Sequence, residues 1–375
     1  MMSRPQQLKR QYIHGGNSMK RFSIYAVLML VLCGCVSQSD SDKHVIGFYN
    51  LENLFDIYDD PKKNDEDFLP EGRNGWTEER YQKKLANMAE VINEMAEENG
   101  QWHTVLGVCE VENIDVLEDL VAHETIRDAG FKAVLNEGPD GRGIDVGLIY
   151  RPSEFKVLET ESIPYTFSNS SIDFEMSKKD RKKFKTRDIL MVRGVIGDEM
   201  FAFYVAHLPS RGGDKPGGYQ LRDRGGEIMY GHARSLMEKY PGIKIVCMGD
   251  MNDNPTDTSM AEYLHGRENL DETTPADFFS PYVSMLKSGF GSQTYRGVWN
   301  IYDLQLVNHA LAQAPEGGFR IIDHDGDGYF GNIFKKPFLT NPAGRYKGTP
   351  LRTFSNGEFV NGYSDHYPTY IVISR

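Results

Sequence analysis

Apolar residues along this chain gather in short runs separated by polar, glycine- and proline-bearing stretches. The runs VIGFYN (45–50), TVLGVCE (104–110), VGLIYR (146–151), DILMVRGVI (188–196), MFAFYVAH (200–207), IKIVCMGD (243–250), YDLQLV (302–307) and YPTYIVIS (367–374) read as buried strands. A helical period appears between the first two, where Tyr81, Leu85, Met88, Ala89, Ile92 and Met95 recur on one face. Thr77 stands at the cap position of that helix, Glu78 and Glu79 suit its N-terminal dipole, and Gly100 ends it. A second helix is expected between Tyr219 and Tyr240. Many strands with few long helices predict an α+β protein built on two packed sheets. No long linker, low-complexity stretch or repeat interrupts Val45 to Ile373, so residues 45–375 form one expected domain.

Side chains alternate across a strand, so residues of equal parity share a face. Ile46 and Phe48 lead to Asn50, Leu106 and Val108 to Glu110, Phe201, Phe203 and Val205 to His207, and Val246 and Met248 to Asp250. In each case a face that should line the core ends in a polar or ionisable residue. The later segments reverse the order, with Asp303 ahead of Gln305 and Val307, and Asp365 and His366 ahead of the last strand. Strands antiparallel to the first four would bring those starts to the same rim. A single such residue is commonly a turn former; six together predict a shared site.

The N-terminus adds a separate signal. Met19, Lys20 and Arg21 precede the apolar run IYAVLMLVL (24–32) and the ending LCGC (32–35), the layout of a secretory signal peptide; the run is too short to span a bilayer. The ending resembles a lipobox, which would make residues 1–35 a lipoprotein signal peptide, with Met19 an alternative start and Cys35 the lipidated residue. Residues 36–44 then serve as a polar tether, and the expected location is extracytoplasmic, lipid-anchored to a bacterial membrane at the periplasm or cell surface. Removing five basic and no acidic residues lowers the formal charge from −12 by five, to −17. Such a surface argues against tight wrapping of nucleic acid, though not against a nuclease that approaches phosphate through a metal. Cys109 and Cys247 remain as thiols within apolar strands, read as buried and unpaired, with a disulfide as the other reading.

Glu110, Asp250 and Asp365 offer hard carboxylate oxygens and Asn50 a carbonyl, a set suited to Mg2+ or Mn2+ rather than zinc. Phosphoester hydrolysis needs a positioned water, relief of charge on the phosphoryl oxygens and a proton for the leaving oxygen. Asp250, held by Asn252 on the same strand face, can orient or deprotonate the water. His366 can donate to a phosphoryl oxygen if Asp303 fixes its ring, and His207 can do likewise or protonate the leaving group.

The ordered segments FYNLENLFD, CEVEN, AHLPSR, GDMND, YDLQLV and YSDHYP, carrying Asn50, Glu110, His207 with Ser210, Asp250 with Asn252, Asp303, and Asp365 with His366, resemble the deoxyribonuclease I-like endonuclease/exonuclease/phosphatase superfamily. The resemblance implies a four-layer αββα sandwich and a Mg2+-dependent phosphoesterase. It places Asn50 and Glu110 at the metal with Asp365 completing the site, Asp250 and Asn252 at the attacking water, Asp303 beside His366, and His207 as the second catalytic histidine. The implied protein is a monomer acting on nucleic acid by phosphodiester cleavage, with action on inositol, sugar or lipid phosphates as the alternative. A non-catalytic surface-binding protein of the same fold is the competitor from another class.

Other features are less specific. Asp145, ahead of VGLIYR, is a candidate to orient His207 or a turn residue; Arg187 is a candidate phosphate contact or part of a basic surface run from Lys178. Tyr295, Trp299 and Tyr302 either wall the cleft or belong to the core. The stretch DHDGDGYFGN (323–332) opens like a Ca2+ loop with Asp323, Asp325 and Asp327, yet Phe334 stands where an EF-hand requires glutamate; a solvated acidic turn is the competing reading.

Overall fold

The computed structural model describes residues 42–211 and 217–375. The signal peptide, Cys35 and most of the tether lie outside them.

Two seven-stranded mixed sheets form the centre. The first contains β1 (Lys43–Leu54), β2 (Val105–Val111), β3 (Lys132–Leu135) and β4 (Asp145–Tyr150). The second contains β5 (Phe155–Ile163), β6 (Ile189–Ile196), β7 (Glu199–His207), β8 (Lys244–Asp250), β9 (Gly266–Arg267) and β10 (Phe278–Phe279). A hairpin of β11 (Gln293–Tyr295) and β12 (Val298–Asn300) precedes β13 (Asp303–Asn308), which joins the second sheet. The chain returns to the first sheet with β14 (Arg320–Ile322) and β15 (Gly331–Ile333), makes a hairpin of β16 (Phe354–Ser355) and β17 (Glu358–Phe359), and closes with β18 (Thr369–Ser374). β1 starts at Lys43, so the last two residues of the expected tether, Lys43 and His44, are already strand.

Parity sorts the side chains into layers. Ile46, Phe48, Val105, Cys109, Phe201, Phe203, Val205, Val246, Met248 and Val307 share the core between the sheets. On the outer face of the first sheet, Leu106 and Val108 pack with α1 (Glu78–Asn99) and α2 (Ile114–Ala122). On the outer face of the second, Tyr204, Ala206, Ile245 and Cys247 pack with Met229, Ala233 and Leu236 from the long helix that follows β7. The architecture is therefore the expected αββα sandwich. Full burial of Leu85, Met88 and Ile92 on α1 stabilises this packing by about 1.5–3 kcal/mol per side chain. Gly100 ends α1 in the left-handed conformation, as expected. Thr77 occupies the cap position, but its side chain makes no capping hydrogen bond. The basic run contains the short α3 (Lys178–Lys183), and the second expected helix is α4 (Gly218–Lys239).

Strand direction explains the shared rim. β1 and β2 are parallel, as are β7 and β8, so their C-terminal ends lie together. β13 runs antiparallel to β8 and β18 antiparallel to β1, so their beginnings come to those ends. Asp250 is the register partner of His207 on one side and of Asp303 on the other. Gly249 permits this approach, since a Cβ there would collide with the Ala206 carbonyl oxygen of the neighbouring strand.

Candidate active site

One carboxylate oxygen collects three strands and a loop. Asp250 Oδ2 accepts from Asn50 Nδ2 at 3.0 Å, across the two sheets, and lies 3.7 Å from His207 Nε2 and 3.7 Å from His366 Nε2. Glu110 Oε1 is 3.9 Å from the same His207 nitrogen. Asp303 receives His366 Nδ1 at 2.8 Å on Oδ2 and is itself bound by the Ser292 hydroxyl. Ser364, fully buried, donates to the Asn50 carbonyl at 2.7 Å and accepts from the His366 amide at 3.1 Å, tying β1 to the segment that carries His366.

Regular alternation delivers Asn50, His207, Asp250 and Asp303 but not Glu110. Leu106 and Val108, whose parity pointed to Glu110, face α1 and α2 rather than the core between the sheets. Glu110 reaches the rim because the register of β2 shifts between Cys109 and Val111, and the extra residue takes the left-handed conformation at φ 59°. Glu52, Asn53 and Asn252 share that conformation at φ 48°, 55° and 49°. Non-glycine residues held this way cost about 1–3 kcal/mol each and concentrate at functional sites.

The histidines are pushed in opposite directions. Burial, reinforced by Arg187 and Arg142, holds His207 well below the usual imidazole range, so its ring is neutral. Burial also opposes a charge on His366, but Asp303 and Asp250 outweigh it and hold that ring protonated. Asp250 is raised by burial, with Asp303 and Glu110 adding repulsion against the attraction of His366. Environments that separate two titratable groups in this way assign an acid and a base within one pocket. Asp250, Asp303 and His366 also place one ligand atom each within 4.8 Å of one another. The Asp250 and Asp303 oxygens, with the Glu110 carboxylate at the same rim, suit a hard divalent cation, whereas the protonated His366 ring has no lone pair to offer one.

Several sequence-derived assignments change. Asn252 lies beyond the end of β8, not on its face. It supports Asp250 through its backbone N–H at 2.9 Å, while its side-chain amide donates to the Leu208 carbonyl. Arg187 is neither a surface residue nor open to phosphate: its three nitrogens donate to Asp140 Oδ2 and to the carbonyls of His207 and Leu208. It thereby fixes the strand end that carries His207. Asp145 is buried, accepts from the Gly138 amide at 2.8 Å, and shares no hydrogen bond or ion pair with His207. Ser210 is exposed beyond β7. Asp365 pairs with Arg352 at 2.8 Å instead of turning toward Asn50. Tyr302 is core beneath Arg211. Tyr295 and Trp299 sit on the β11–β12 hairpin, which bridges to His366 through Gln293. Cys109 and Cys247 are buried free thiols in different core layers.

Sequence reasoning missed Arg352, Glu52 and Lys84. Arg352 spans Glu52 at 2.9 Å and Asp365, and the buried Lys84 holds Thr353 Oγ1 at 2.7 Å and the Tyr363 carbonyl. Lys84 left a readable signal, a lysine three residues after Tyr81 and four before Met88 on the apolar face of α1. Ser364 was likewise within a quoted motif. Nothing local marks Arg352, whose partner Glu52 lies 300 positions away.

A model described as the Endonuclease/Exonuclease/phosphatase family matches residues 45–375. No curated protein sequence matches the chain. Among solved structures, D. rerio TDP2 complexed with a single-strand DNA product is similar at 15% identity and a TM-score of 0.50, over 89% of this chain and 99% of that one. A humanized D. rerio TDP2 is similar at 14% identity and a TM-score of 0.50 over the same shares, 89% and 99%. A Bacteroides thetaiotaomicron mannosyl-6-phosphatase is similar at 12% identity and a TM-score of 0.49, over 88% and 100%. At such identities the structural likeness is one of fold.

Proposed function

This chain belongs to the endonuclease/exonuclease/phosphatase family, and from that premise we propose that it hydrolyses a phosphoester with the help of Mg2+ or Mn2+. The observation that carries the reading is the meeting of Asn50, His207 and His366 on one buried carboxylate, Asp250. Asn50 and Glu110 would hold the cation; Asp365 would join them only by releasing Arg352. When bound, the cation supplies charge neutralisation at the phosphoryl oxygens.

The remaining chemistry falls to side chains. Asp250, pushed toward the proton-binding range by burial, orients the attacking water and accepts its proton. His366, held as a cation by Asp303, donates to a phosphoryl oxygen, offsets the charge that builds there and passes its proton to the leaving oxygen, regaining one from Asp250, whose Oδ2 lies 3.7 Å from its Nε2. His207, neutral and wedged between Glu110 and Asp250, donates through Nε2 to a second phosphoryl oxygen. Asn252 positions Asp250 through the backbone.

Phosphodiester cleavage is the first reading, in keeping with the TDP2 structure that holds a single-strand DNA product. Phosphomonoester hydrolysis is the second, favoured by a small, partly open polar cavity beside Asp365 that has room for a compact substrate. The protein would act as a monomer tethered to a bacterial membrane through lipidated Cys35, on the extracytoplasmic side; mass spectrometry of the N-terminal peptide tests this.

The function itself is tested with bis-p-nitrophenyl phosphate, p-nitrophenyl phosphate, DNA and RNA, each with Mg2+, Mn2+, Ca2+ or chelator. Turnover that needs Mg2+ or Mn2+, stops on chelation and returns with added metal is expected. Turnover indifferent to chelator would reject the mechanism.

A further inference from the structure

Arg352 holds two carboxylates with unequal firmness. Its Nε donates to Glu52 Oε1 at 2.9 Å and its Nη2 to Asp365 Oδ2 at 2.8 Å. The Glu52 side chain is 5% exposed, and its other oxygen accepts from the Thr353 amide. Thr353 is held in turn by the buried Lys84, whose Nζ donates to its hydroxyl at 2.7 Å. The Asp365 side chain is 36% exposed, so water competes for that half of the fork. The Nη2 contact is therefore the one open to exchange, while Nε keeps the guanidinium in place.

The same turn reaches the residues assigned to the cation. The Glu52 amide donates to Asn50 Oδ1 at 2.9 Å, and the Asn53 amide to Glu110 Oε2 at 3.1 Å. Ser364, the residue before Asp365, donates to the Asn50 carbonyl. Asp365 thus stands between two claims, Arg352 on one side and a cation at Asn50 and Glu110 on the other.

Charge decides what an exchange would do. Glu52, Glu110 and Asp365 surround Lys84 and Arg352, so the five groups carry one net negative charge. Burial raises the Glu52 carboxyl and lowers the Lys84 ammonium, and each charge opposes the shift of the other. A divalent cation turns the sum into one net positive charge. Once Asp365 is drawn to that cation, Arg352 has free donors facing a cavity of ≈ 150 Å³, which it lines with Asp365, Thr294 and Asn356. A guanidinium anchored at one edge and open at the other matches two oxygens of a phosphate.

We propose that Arg352 trades Asp365 for a phosphate of the substrate: a cation at Asn50, Glu110 and Asp365 frees the guanidinium, which then receives a second phosphate beside the one that is cleaved. The inference rests on the phosphoesterase reading above and adds a specificity-determining residue to that site. Arg352 closes its own anion site until the cation is bound. The second phosphate belongs either to a neighbouring nucleotide or to a compact bisphosphate, and the recognising chemistry is the same.

Two sets of titrations at pH 7.5 test this. The first measures Mn2+ affinity by electron paramagnetic resonance with no substrate present. Arg352→Met removes the competitor for Asp365 and should tighten Mn2+ binding about two- to fivefold, the range of a half-exposed ion pair. With Asp365→Asn already in place, the same change should matter by less than about 1.5-fold. Equal tightening in both backgrounds would make Arg352 a distant charge, and weaker Mn2+ binding would make it a structural prop; either overturns the proposal.

The second set measures ligand affinity by calorimetry in the Asp250→Asn variant, so that nothing is turned over. Adenosine 3′,5′-bisphosphate is set against adenosine 5′-monophosphate, and propane-1,3-diyl bisphosphate against propyl phosphate. In Mn2+ the bisphosphate of at least one pair should bind about tenfold tighter than its partner. In chelator, or in Mn2+ with Arg352→Met added, that preference should fall below about twofold. A preference in the nucleotide pair alone assigns the second phosphate to a neighbouring nucleotide, and one in the propane pair to a compact bisphosphate. No preference in Mn2+, or one that survives chelator or Arg352→Met, overturns the proposal. If the wild type is inert on every ester yet both sets behave as expected, the phosphoesterase reading falls and the anion site stands.

Discussion

The rim around Asp250 and the loop at Asp323 both gather acidic residues, and they are built in opposite ways. At the rim, carboxylates come from separate strands, lie buried, and share their oxygens with groups up to 200 residues distant. In the loop, Asp323 accepts from the amides of Gly326, Asp327 and Gly328, and Asp327 from that of Tyr329. The loop carboxylates close their own turn, and Phe334, at the position where a Ca2+ loop needs glutamate, is buried in the core. The acidic turn is thus the reading that the geometry favours over the EF-hand-like one. Density of acid in a sequence predicts little; convergence from different elements, with the charges left to repel in a dry place, marks a site.

The comparison breaks most sharply on turnover. Asp250→Asn and His366→Ala should each lower kcat/KM for phosphoester hydrolysis by about 10²- to 10⁴-fold, the range of a lost general base or acid. The check is steady-state kinetics at saturating Mn2+, beside circular dichroism to confirm folding. Loss of less than tenfold in both would remove Asp250 from the centre of the account.

A second effect concerns stability and pH in the metal-free protein. Burial raises the Asp250 carboxyl to about 7 in the folded chain. Between its ordinary value of about 4 and that point, the folded state keeps a proton that the unfolded state has lost, so stability declines as pH climbs through this window. Asp250→Asn removes the penalty. The variant should therefore be more stable than wild type at pH 8 by about 1–3 kcal/mol and no more stable near pH 4. Urea unfolding in chelator at the two pH values measures this, and a gap independent of pH would contradict it.

The smallest effect belongs to the loop. Asp323→Ala removes an acceptor from a largely exposed turn, so a cost of about 1 kcal/mol or less is expected, with turnover and its metal dependence unchanged. A Ca2+-dependent shift of wild-type melting that Asp323→Ala abolishes would reverse the reading of the loop.

How much of this was legible follows from the same contrast. His207 and Asp250 end their strands, Asp303 begins its own and Asn50 closes the regular pairing of β1 with β2, so a period of two carries each side chain from core to rim without error. The four layers were readable for the same reason, since alternation separates Phe203 from Tyr204 and Val246 from Cys247. Glu110 was reached by a faulty path, because a bulge resets parity and leaves no mark in the apolar pattern. Arg187 and Asp365 look free in sequence, and only the folded chain supplies Asp140 and Arg352 to engage them. Contacts between distant side chains have no period to read.

The most direct test of the central claim is where a cation binds. Crystals grown with MnCl2 and phosphate, measured at the manganese absorption edge, should show an anomalous peak bound by the Glu110 carboxylate and the Asn50 side-chain oxygen, with phosphate beside His207 and His366. A strong peak confined to Asp323–Asp327, or no peak at the rim under saturating Mn2+, would contradict it.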